Sequence, residues 1–151
     1  MKNLNTYISE KLTIVHKSFS CAPETKGELR EIIAERLKDD PNADLNDIDV
    51  SNITDMSCLF TLLDPGNIDI SEWDVSNVED ISYIFCECSN FNSDLNTWDV
   101  SKVENMTGMF CGCKNFDSDL SAWDVSKVQD MSYIFDDCDS LKELPAWCKK
   151  Q

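Results

Sequence analysis

Apolar side chains return to the same positions every 25 residues over most of this chain. Trp73, Trp98 and Trp123 stand 25 apart, and Ile48 holds the same position one period earlier. The same step separates four valines and four phenylalanines, which are Val50, Val75, Val100 and Val125, and Phe60, Phe85, Phe110 and Phe135. Self-similarity at this period predicts stacked repeats, each burying its apolar face against its neighbours. Because an aliphatic residue shares the tryptophan position, we predict that the tryptophans form core rather than a ligand platform.

Around each tryptophan, apolar and polar positions alternate. In the third repeat, Trp98 and Val100 flank Asp99, so two apolar side chains face one side and a carboxylate the other. This alternation predicts short strands at 48–50, 73–75, 98–100 and 123–125. Equivalent strands of successive repeats are predicted to pair in parallel, about 4.8 Å apart.

A second pattern follows each predicted strand. Val103, Met106 and Met109 recur at intervals of three residues, as on one face of a helix, and residues 101–104 have the spacing of a capping box. Each repeat is therefore predicted to contain a strand, a turn, a short helical segment and a returning loop. An incomplete fifth repeat at 144–147 closes the array.

The first 43 residues have a different pattern. Thr25 and Glu28 form a capping box before an apolar stripe of Leu29, Ile32, Ile33 and Leu37, and Pro41 ends the predicted helix. A shorter helix is predicted from Leu4, Ile8 and Leu12, although residues 12–15 fit a strand equally well. The chain thus divides into a helical cap at 1–43, and four 25-residue repeats with a truncated fifth at 44–151.

The repeated motif Leu-x-x-Trp-x-Val-Ser-x-Val-x-x-Met-x-x-Met-Phe-x-x-Cys resembles the unit of BspA-like leucine-rich repeat proteins. It is most similar to the Trp-Asp-Val-Ser type found in bacterial surface proteins, and the resemblance covers roughly residues 44–148. The resemblance implies an α/β repeat fold, a right-handed solenoid with a parallel strand ladder. It also implies the absence of catalytic residues and a role in adhesion or protein recognition.

The net charge of −16 belongs to the repeats. Residues 44–151 contain 22 Asp and Glu against six Lys, whereas residues 1–43 contain seven of each sign. Direct binding to nucleic acid is disfavoured because neutralising phosphates requires clustered Lys and Arg. Anionic membranes are disfavoured for the same reason. The charge favours a protein partner with a basic surface, and self-association remains open.

Two rows of aspartates carry much of this charge: Asp44, Asp69, Asp94 and Asp119, and Asp49, Asp74, Asp99 and Asp124. Like charges about 5 Å apart repel each other by roughly 1 kcal/mol in water. Three kinds of interaction would offset that repulsion. The carboxylates accept backbone N–H groups at turns, or they bind hard cations between repeats, or they form an exposed surface for a basic partner.

The eight cysteines are predicted to be reduced thiols. The position of Leu63 in the first repeat is cysteine in the next three, at Cys88, Cys113 and Cys138. Because leucine and cysteine both occupy it, we predict that this position lies in the apolar core. Two Cys-x-Cys pairs, at 86–88 and 111–113, place four thiols on adjacent repeats but miss the usual Cys-x₂₋₄-Cys spacing of zinc sites. No metal and no cofactor is therefore predicted, although oxidation could join neighbouring repeats.

Neither an export signal nor a catalytic motif is evident. The N-terminus lacks the apolar region of a signal peptide, so a cytoplasmic location is expected, whereas the family resemblance suggests a surface or secreted protein. The chain contains no run of about 18 apolar residues, so no membrane span is predicted. The single histidine, His16, is tied to no nucleophile motif, and we expect no enzymatic activity.

The sequence therefore predicts a non-enzymatic module for protein–protein interaction or adhesion, which presents an acidic strand face. The predicted contact residues lie on the solvent side of the strands and are Glu72, Asp74, Thr97, Asp99, Ala122 and Asp124. The alternative is an acidic decoy that mimics nucleic acid and occupies a DNA- or RNA-binding protein. A purely structural or self-associating repeat is a third possibility.

Overall fold

A computed structural model describes residues 18–148 of the chain. Helix α1 spans Lys26–Asp39, and four 25-residue units follow it, unit 1 at 44–68, unit 2 at 69–93, unit 3 at 94–118 and unit 4 at 119–143. The predictions for the first 17 residues, including the N-terminal helix or strand, lie outside the described part. In residues 18–148, α1 is the one helix, and parallel pairing is confined to isolated bridges such as Asp55 with Asp80.

Helix α1 forms where the sequence predicts it. Thr25 is the N-cap residue, and its hydroxyl accepts the backbone N–H of Glu28 at 3.2 Å. The carboxylate of Glu28 accepts the N–H of Glu24 at 2.9 Å, so side chains satisfy the free donors of the first turn. Leu29 and Ile33 are fully buried in the same core as the units. The helix is therefore held by its apolar stripe against the stack.

The tryptophan row lies in the core, as predicted. Trp98 is 3% exposed, and its ring stacks on Trp73 with centroids 6.4 Å apart and planes 8° apart. Each indole N–H also donates to a backbone carbonyl of the preceding unit, from Trp73 to Leu45 at 2.9 Å and from Trp98 to Ile70 at 3.0 Å. Each unit is thereby fixed to its neighbour by ring contact and a hydrogen bond together.

Phenylalanines form two further buried rows. Phe110 stacks between Phe85 and Phe135, at centroid distances of 5.7 and 5.6 Å. Phe91 and Phe116 stack at 6.2 Å with planes only 3° apart. The parallel offset of rings at these distances is a favourable aromatic geometry. The 25-residue period thus places identical rings directly over one another.

A run of consecutive turns carries most of the backbone pairing between units. We call it the turn ribbon, which comprises residues 56–63, 81–88, 106–113 and 131–138. Alternate N–H groups donate to the next unit, as from Cys58 to the carbonyl of Ser82 at 2.9 Å and from Tyr83 to Thr107 at 2.8 Å. The intervening N–H groups close turns within the unit, as from Ile84 to the carbonyl of Ile81 at 3.3 Å.

The turn ribbon requires left-handed backbone at repeated positions. Tyr83, Gly108 and Tyr133 have φ values of 54°, 57° and 60°, and Cys58 has the same conformation at 56°. Left-handed φ is uncommon for residues with a Cβ, so Cys58, Tyr83 and Tyr133 carry local strain that Gly108 avoids. A β-strand cannot contain such a residue, since strands need negative φ throughout.

The predicted α/β solenoid with a parallel strand ladder is wrong, because the described residues contain no sheet. Burial does alternate at 73–75 and at 98–100, but turns flank each of these segments, so each extended segment is only three residues long. The N–H of Trp73 donates to the carbonyl of Ile70 at 3.2 Å, and the carbonyl of Val75 accepts the N–H of Val78 at 2.9 Å, so these groups close turns within their own unit. The predicted helical segments are wrong as well, because the turn ribbon replaces them.

Helix α1 covers the first unit and supplies the hydrogen bonds that a preceding unit would supply. The guanidinium of Arg30 donates to the carbonyls of Leu59 and Thr61 in the turn ribbon. In later units, the counterpart of Leu59 at Ile84 accepts the N–H of Phe60 at 3.2 Å, and the counterpart of Thr61 at Cys111 accepts the N–H of Glu87 at 2.7 Å. The start of the stack therefore presents carbonyls, and one arginine satisfies two of them.

Arg30→Met should lower the free energy of unfolding by about 1–3 kcal/mol, because it keeps the aliphatic stem but leaves two carbonyls without a donor. The control is Lys38→Met, which removes an exposed pair with Glu35 and should change stability by less than about 0.5 kcal/mol. Urea unfolding followed by tryptophan fluorescence measures both. Equal effects of the two substitutions would contradict the role assigned to Arg30.

Gly108→Ala should also destabilise the protein, by about 1–3 kcal/mol. A Cβ at Gly108 would lie 2.6 Å from Cδ1 of Tyr83, on a backbone with φ of +57°. Gly27→Ala is the matched control, since that Cβ would make only an ordinary contact with Oγ1 of Thr25 at 3.9 Å and should leave stability unchanged or raise it by about 0.5–1 kcal/mol. Adding Tyr83→Ala should relieve part of the Gly108→Ala penalty in a double-mutant cycle, and a purely additive cycle would show that the ring is not the obstacle.

Candidate functional site

Three rows of acidic or amide side chains close turns along the stack. Row A is Asp44, Asp69, Asp94 and Asp119; row B is Asp49, Asp74, Asp99 and Asp124; row C is Asp55, Asp80, Asn105 and Asp130. In every member, Oδ1 accepts the backbone N–H two residues further on, at 2.8–3.1 Å. This arrangement is the Asx turn, in which a short side chain substitutes for a backbone acceptor.

The Asx turns confirm the first of the three explanations for the aspartate rows. At Asp74, for example, Oδ1 accepts both the N–H and the hydroxyl of Ser76, at 3.1 and 2.6 Å. The other two explanations, hard cations between the rows and an exposed surface for a basic partner, stay open. Row C was not identified from the sequence, although a repeated Asp-x-Ser or Asn-x-Thr at one phase was the available signal.

Row C shows that the turn needs an oxygen acceptor but no charge. Asn105 stands where the other members are aspartates, and its Oδ1 accepts the N–H of Thr107 at 3.0 Å and the hydroxyl at 2.7 Å. The amide therefore forms the same turn as the carboxylate. Asparagine at a row A or row B position should preserve the backbone geometry while removing the charge.

The turns also stabilise the ionised form of several carboxylates. Hydrogen bonds from Ser101, first from its side chain and then from its N–H, lower the pKa of Asp99. Ser126 lowers the pKa of Asp124 in the same way, against a smaller opposing effect of the Asp99 charge. In row A, the N–H of Ser121 is the main cause that lowers the pKa of Asp119. These carboxylates stay ionised well below neutral pH.

All six predicted contact residues are exposed, but they differ in what they offer. Asp74, Asp99 and Asp124 are held in Asx turns with their outer oxygens toward solvent. The Thr97 hydroxyl donates to the carbonyl of Ser71 at 2.8 Å, and Ala122 has no polar atom. Glu72, Thr97 and Ala122 hold the same position in units 2, 3 and 4. The backbone N–H of Glu72 donates to Oδ1 of Asn46 at 2.8 Å. Only the row B aspartates form a uniform charged series.

Lysines interrupt the acidic surface toward the C-terminal end. Lys102 and Lys127 hold a position that is Asn52 and Asn77 in the first two units. They contribute to lowering the pKa values of Asp99 and Asp124, so they lie near row B. The ammonium of Lys102 also donates to Oδ1 of Asn77 at 2.9 Å, so its charge reaches unit 2, and only unit 1 has no lysine charge at this position.

An amide row that sequence reasoning missed links the loops of successive units. Asn67 accepts the N–H of Asn92 at 3.1 Å, and Asn92 accepts the N–H of Asp117 at 2.9 Å. Asn42 begins the row by accepting the N–H of Asn67, at 2.8 Å, and at its end Lys142 forms an ion pair with Asp117 at 2.6 Å. Each side chain thus fixes the loop that follows it by 25 residues.

The two cysteines of each Cys-x-Cys pair have different surroundings. Cys88 and Cys113 are buried, as predicted, and the thiol of Cys113 donates to the carbonyl of Phe85 at 3.0 Å. Burial raises the pKa of Cys88 to about 12. Cys86 and Cys111 are half-buried at the surface, and burial is also the main cause that raises the pKa of Cys86 to about 11. The four thiols therefore do not converge on one centre, and none is an activated nucleophile.

The family of the chain follows from its match to a known sequence family. The model of the family described as "Mycoplasma protein of unknown function, DUF285" matches residues 28–147. The chain belongs to this family. No curated protein and no solved structure matches it. The match supports neither a leucine-rich repeat nor a BspA-like protein, so the resemblance stated from the sequence is wrong, and so is the solenoid fold that it implied.

Within the described part of this DUF285 chain, no helix is long and apolar enough to cross a membrane. His16, the one candidate for acid–base chemistry named from the sequence, lies outside the described residues.

Acidification should destabilise the protein through row B. A carboxyl group whose pKa is lowered on folding contributes stability above its unfolded pKa of about 4, and that contribution is lost as the pH falls through the folded pKa. We expect the urea midpoint of the wild type to fall from pH 5 to about pH 3 by more than that of Asp99→Asn/Asp124→Asn, which keeps both turns. Identical pH profiles would contradict this assignment.

Proposed function

We propose that this protein is a non-catalytic module that binds another protein with a basic surface. The contact surface is the acidic rim, defined as rows A and B together with Glu72, Thr97 and Ala122 between them. Its members project from turns on the outside of the stack, whereas the aromatic rows fill the inside. The predicted contact residues are therefore kept, but they lie on a surface made of turns and not on a face made of strands.

The observation that carries the proposal is the excess of charge over what folding needs. Rows A and B are aspartate at all eight positions, yet Asn105 forms the same turn in row C without a charge. Neighbouring carboxylates repel, and Asp99 acts electrostatically on Asp124. The geometry of the turn therefore does not require a charge, although the turn hydrogen bonds favour the ionised form of Asp99 and Asp124 once an aspartate is present. Eight aspartates therefore favour a role for the charge outside folding.

The rim is also preorganised for binding. Both oxygens of a free aspartate rotate, but the Asx turn fixes Oδ1 and directs Oδ2 away from the backbone, as at Asp74. A partner would therefore immobilise little additional side-chain freedom, which lowers the entropic cost of association. The net charge of −16 accelerates encounter with a basic partner at low salt.

The lysines beside row B predict where a basic partner binds most strongly. Lys102 and Lys127 reduce the negative potential in units 2 to 4, since Lys102 donates to Asn77 of unit 2, whereas no lysine holds this position in unit 1. Asp44 and Asp49 are the rim aspartates of unit 1. We expect Asp44→Asn/Asp49→Asn to weaken binding more than Asp119→Asn/Asp124→Asn.

The proposal predicts a selective loss of binding in Asp74→Asn/Asp99→Asn/Asp124→Asn. The turns should persist and the variant should stay folded, with a melting temperature level with or slightly below that of the wild type, because the stabilisation carried by the lowered pKa values of Asp99 and Asp124 is lost. The matched control is Asp80→Asn/Glu104→Gln/Asp130→Asn, which removes three charges outside the rim. The chain already has the amide at these positions in other units, since Asn105 shares a position with Asp80 and Asp130 and Gln129 shares one with Glu104. Immobilised wild type and both variants are compared by capture from a native lysate at low and at high salt.

The supporting result is a set of proteins that wild type and control retain and that the rim variant loses. The same set on all three proteins would contradict the rim as the binding surface. Duplex DNA added as a competitor tests the alternative function of a nucleic-acid mimic. If DNA displaces the captured proteins from the rim, the partner is a nucleic-acid-binding protein, and if it does not, the decoy hypothesis is rejected.

A further inference from the structure

Three potential metal ligands converge on the surface where units 2 and 3 meet. The thiols of Cys86 and Cys111 and a carboxylate oxygen of Glu87 all lie within 4.8 Å of one another. Cys86 and Cys111 hold the same position in successive units, and stacking brings them together although they are 25 residues apart. The spacing rules for zinc sites do not detect such a pair, because its ligands come from different units.

The backbone around this cluster is built to admit the carboxylate. Glu87 has a left-handed φ of 63°, and its N–H donates to the carbonyl of Cys111 at 2.7 Å. A Cβ added at Gly112 would lie 2.9 Å from the carboxyl group of Glu87. A glycine at this position therefore leaves the space that the carboxylate occupies beside Cys111.

The distances and the ligand types fit one class of ion. In a tetrahedral zinc site with bonds of about 2.0–2.3 Å, ligand atoms stand roughly 3.5–4 Å apart, so the three atoms need only small side-chain adjustments. Thiolates select soft cations over Mg²⁺ or Ca²⁺. Asp136 and Asp137 of the next unit act electrostatically on Cys111, and their charge also favours a cation here.

We propose that Cys86, Glu87 and Cys111 form a binding site for a thiophilic divalent cation of the zinc class. Two thiols and one carboxylate are three protein ligands, and water or Asp136 completes the coordination. Asp136 is the row mate of Cys111 in unit 4. On binding, two sulfur–metal bonds form, each thiol releases its proton to the buffer, and no electron is transferred. The bound ion would join units 2 and 3 across the turn ribbon.

Cadmium titration of the whole chain, kept reduced with a phosphine, tests this site. We expect a thiolate-to-cadmium absorption band that saturates at one ion per chain, release of close to two protons, and reversal of the band by zinc. A saturating cation should raise the melting temperature by about 5–10 °C at a free concentration a hundredfold above Kd. Saturation without proton release would overturn the proposal.

Matched cysteine variants locate the site. Cys86→Ser/Cys111→Ser should abolish the band and the thermal shift, whereas Cys21→Ser/Cys148→Ser, which removes two other half-buried thiols, should retain both. Glu87→Gln leaves both thiols in place, so it should keep the band but weaken affinity about tenfold or more. The proposal is overturned if the two cysteine doubles behave alike, or if Glu87→Gln binds as tightly as the wild type. Circular dichroism of each variant without metal confirms that it is folded, and Cys86→Ala/Cys111→Ala replaces the serine double if it is not.

Discussion

The stacking of the units depends on hydrogen bonds that connect residues at a fixed sequence offset. Each core tryptophan donates its indole N–H to a carbonyl 27 or 28 residues earlier, from the Leu45 carbonyl at the first unit to the Leu120 carbonyl at the last. A slip of one residue between units would leave every one of these buried groups without a partner. Because unsatisfied buried polar groups are costly, this row fixes the register of the whole stack.

Turns replace strands because backbone groups at the predicted strand positions are used within their own unit. The N–H of Trp73 donates to the carbonyl of Ile70, and the carbonyl of Val75 accepts the N–H of Val78. Backbone pairing between units is carried mainly by the turn ribbon, where left-handed residues such as Tyr83 direct alternate N–H groups toward the next unit. The structure therefore satisfies its backbone with side chains and turns where a sheet would use neighbouring strands.

The two ends of the turn ribbon are chemically different. At the first unit, Arg30 supplies donors for two exposed carbonyls. At the last unit, the outward N–H groups of the turn ribbon have no partner among residues 18–148, and they belong to Met131, Tyr133, Phe135 and Asp137. The core also loosens in this direction, since Phe135 and Trp147 are only half-buried whereas Phe85 and Phe110 are fully buried. This polarity follows from having a helix at one end and only a partial unit at the other.

Much of the site lay within reach of the sequence, but its chemistry did not. The period predicted which residues share a row, so the exposed carboxylates of Asp74 and Asp99 could be named without coordinates. That their oxygens close Asx turns was one of three open explanations, and only geometry distinguishes them. The third row was missed although its Asp-x-Ser or Asn-x-Thr motif returns at one phase, and the asparagine row was missed because its contacts join residues 25 apart. A zinc site at the Cys-x-Cys pairs was considered and set aside on spacing, because spacing within one segment does not show that Cys86 and Cys111 converge with Glu87.

What the sequence by itself determined was the repeat, its phase and the inward or outward direction of each side chain. Burial of the Trp98 ring and the capped start of α1 follow from local pattern and residue type, which act over a few residues. The choice between a strand and a turn at 73–75 depended on tertiary structure instead. The N–H of Trp73 and the carbonyl of Val75 close turns in their own unit, and the units are joined instead by the turn ribbon and by indole hydrogen bonds such as that from Trp98 to Ile70, 28 residues away. Alternating burial is common to both conformations, so only the contacts between units could decide between them.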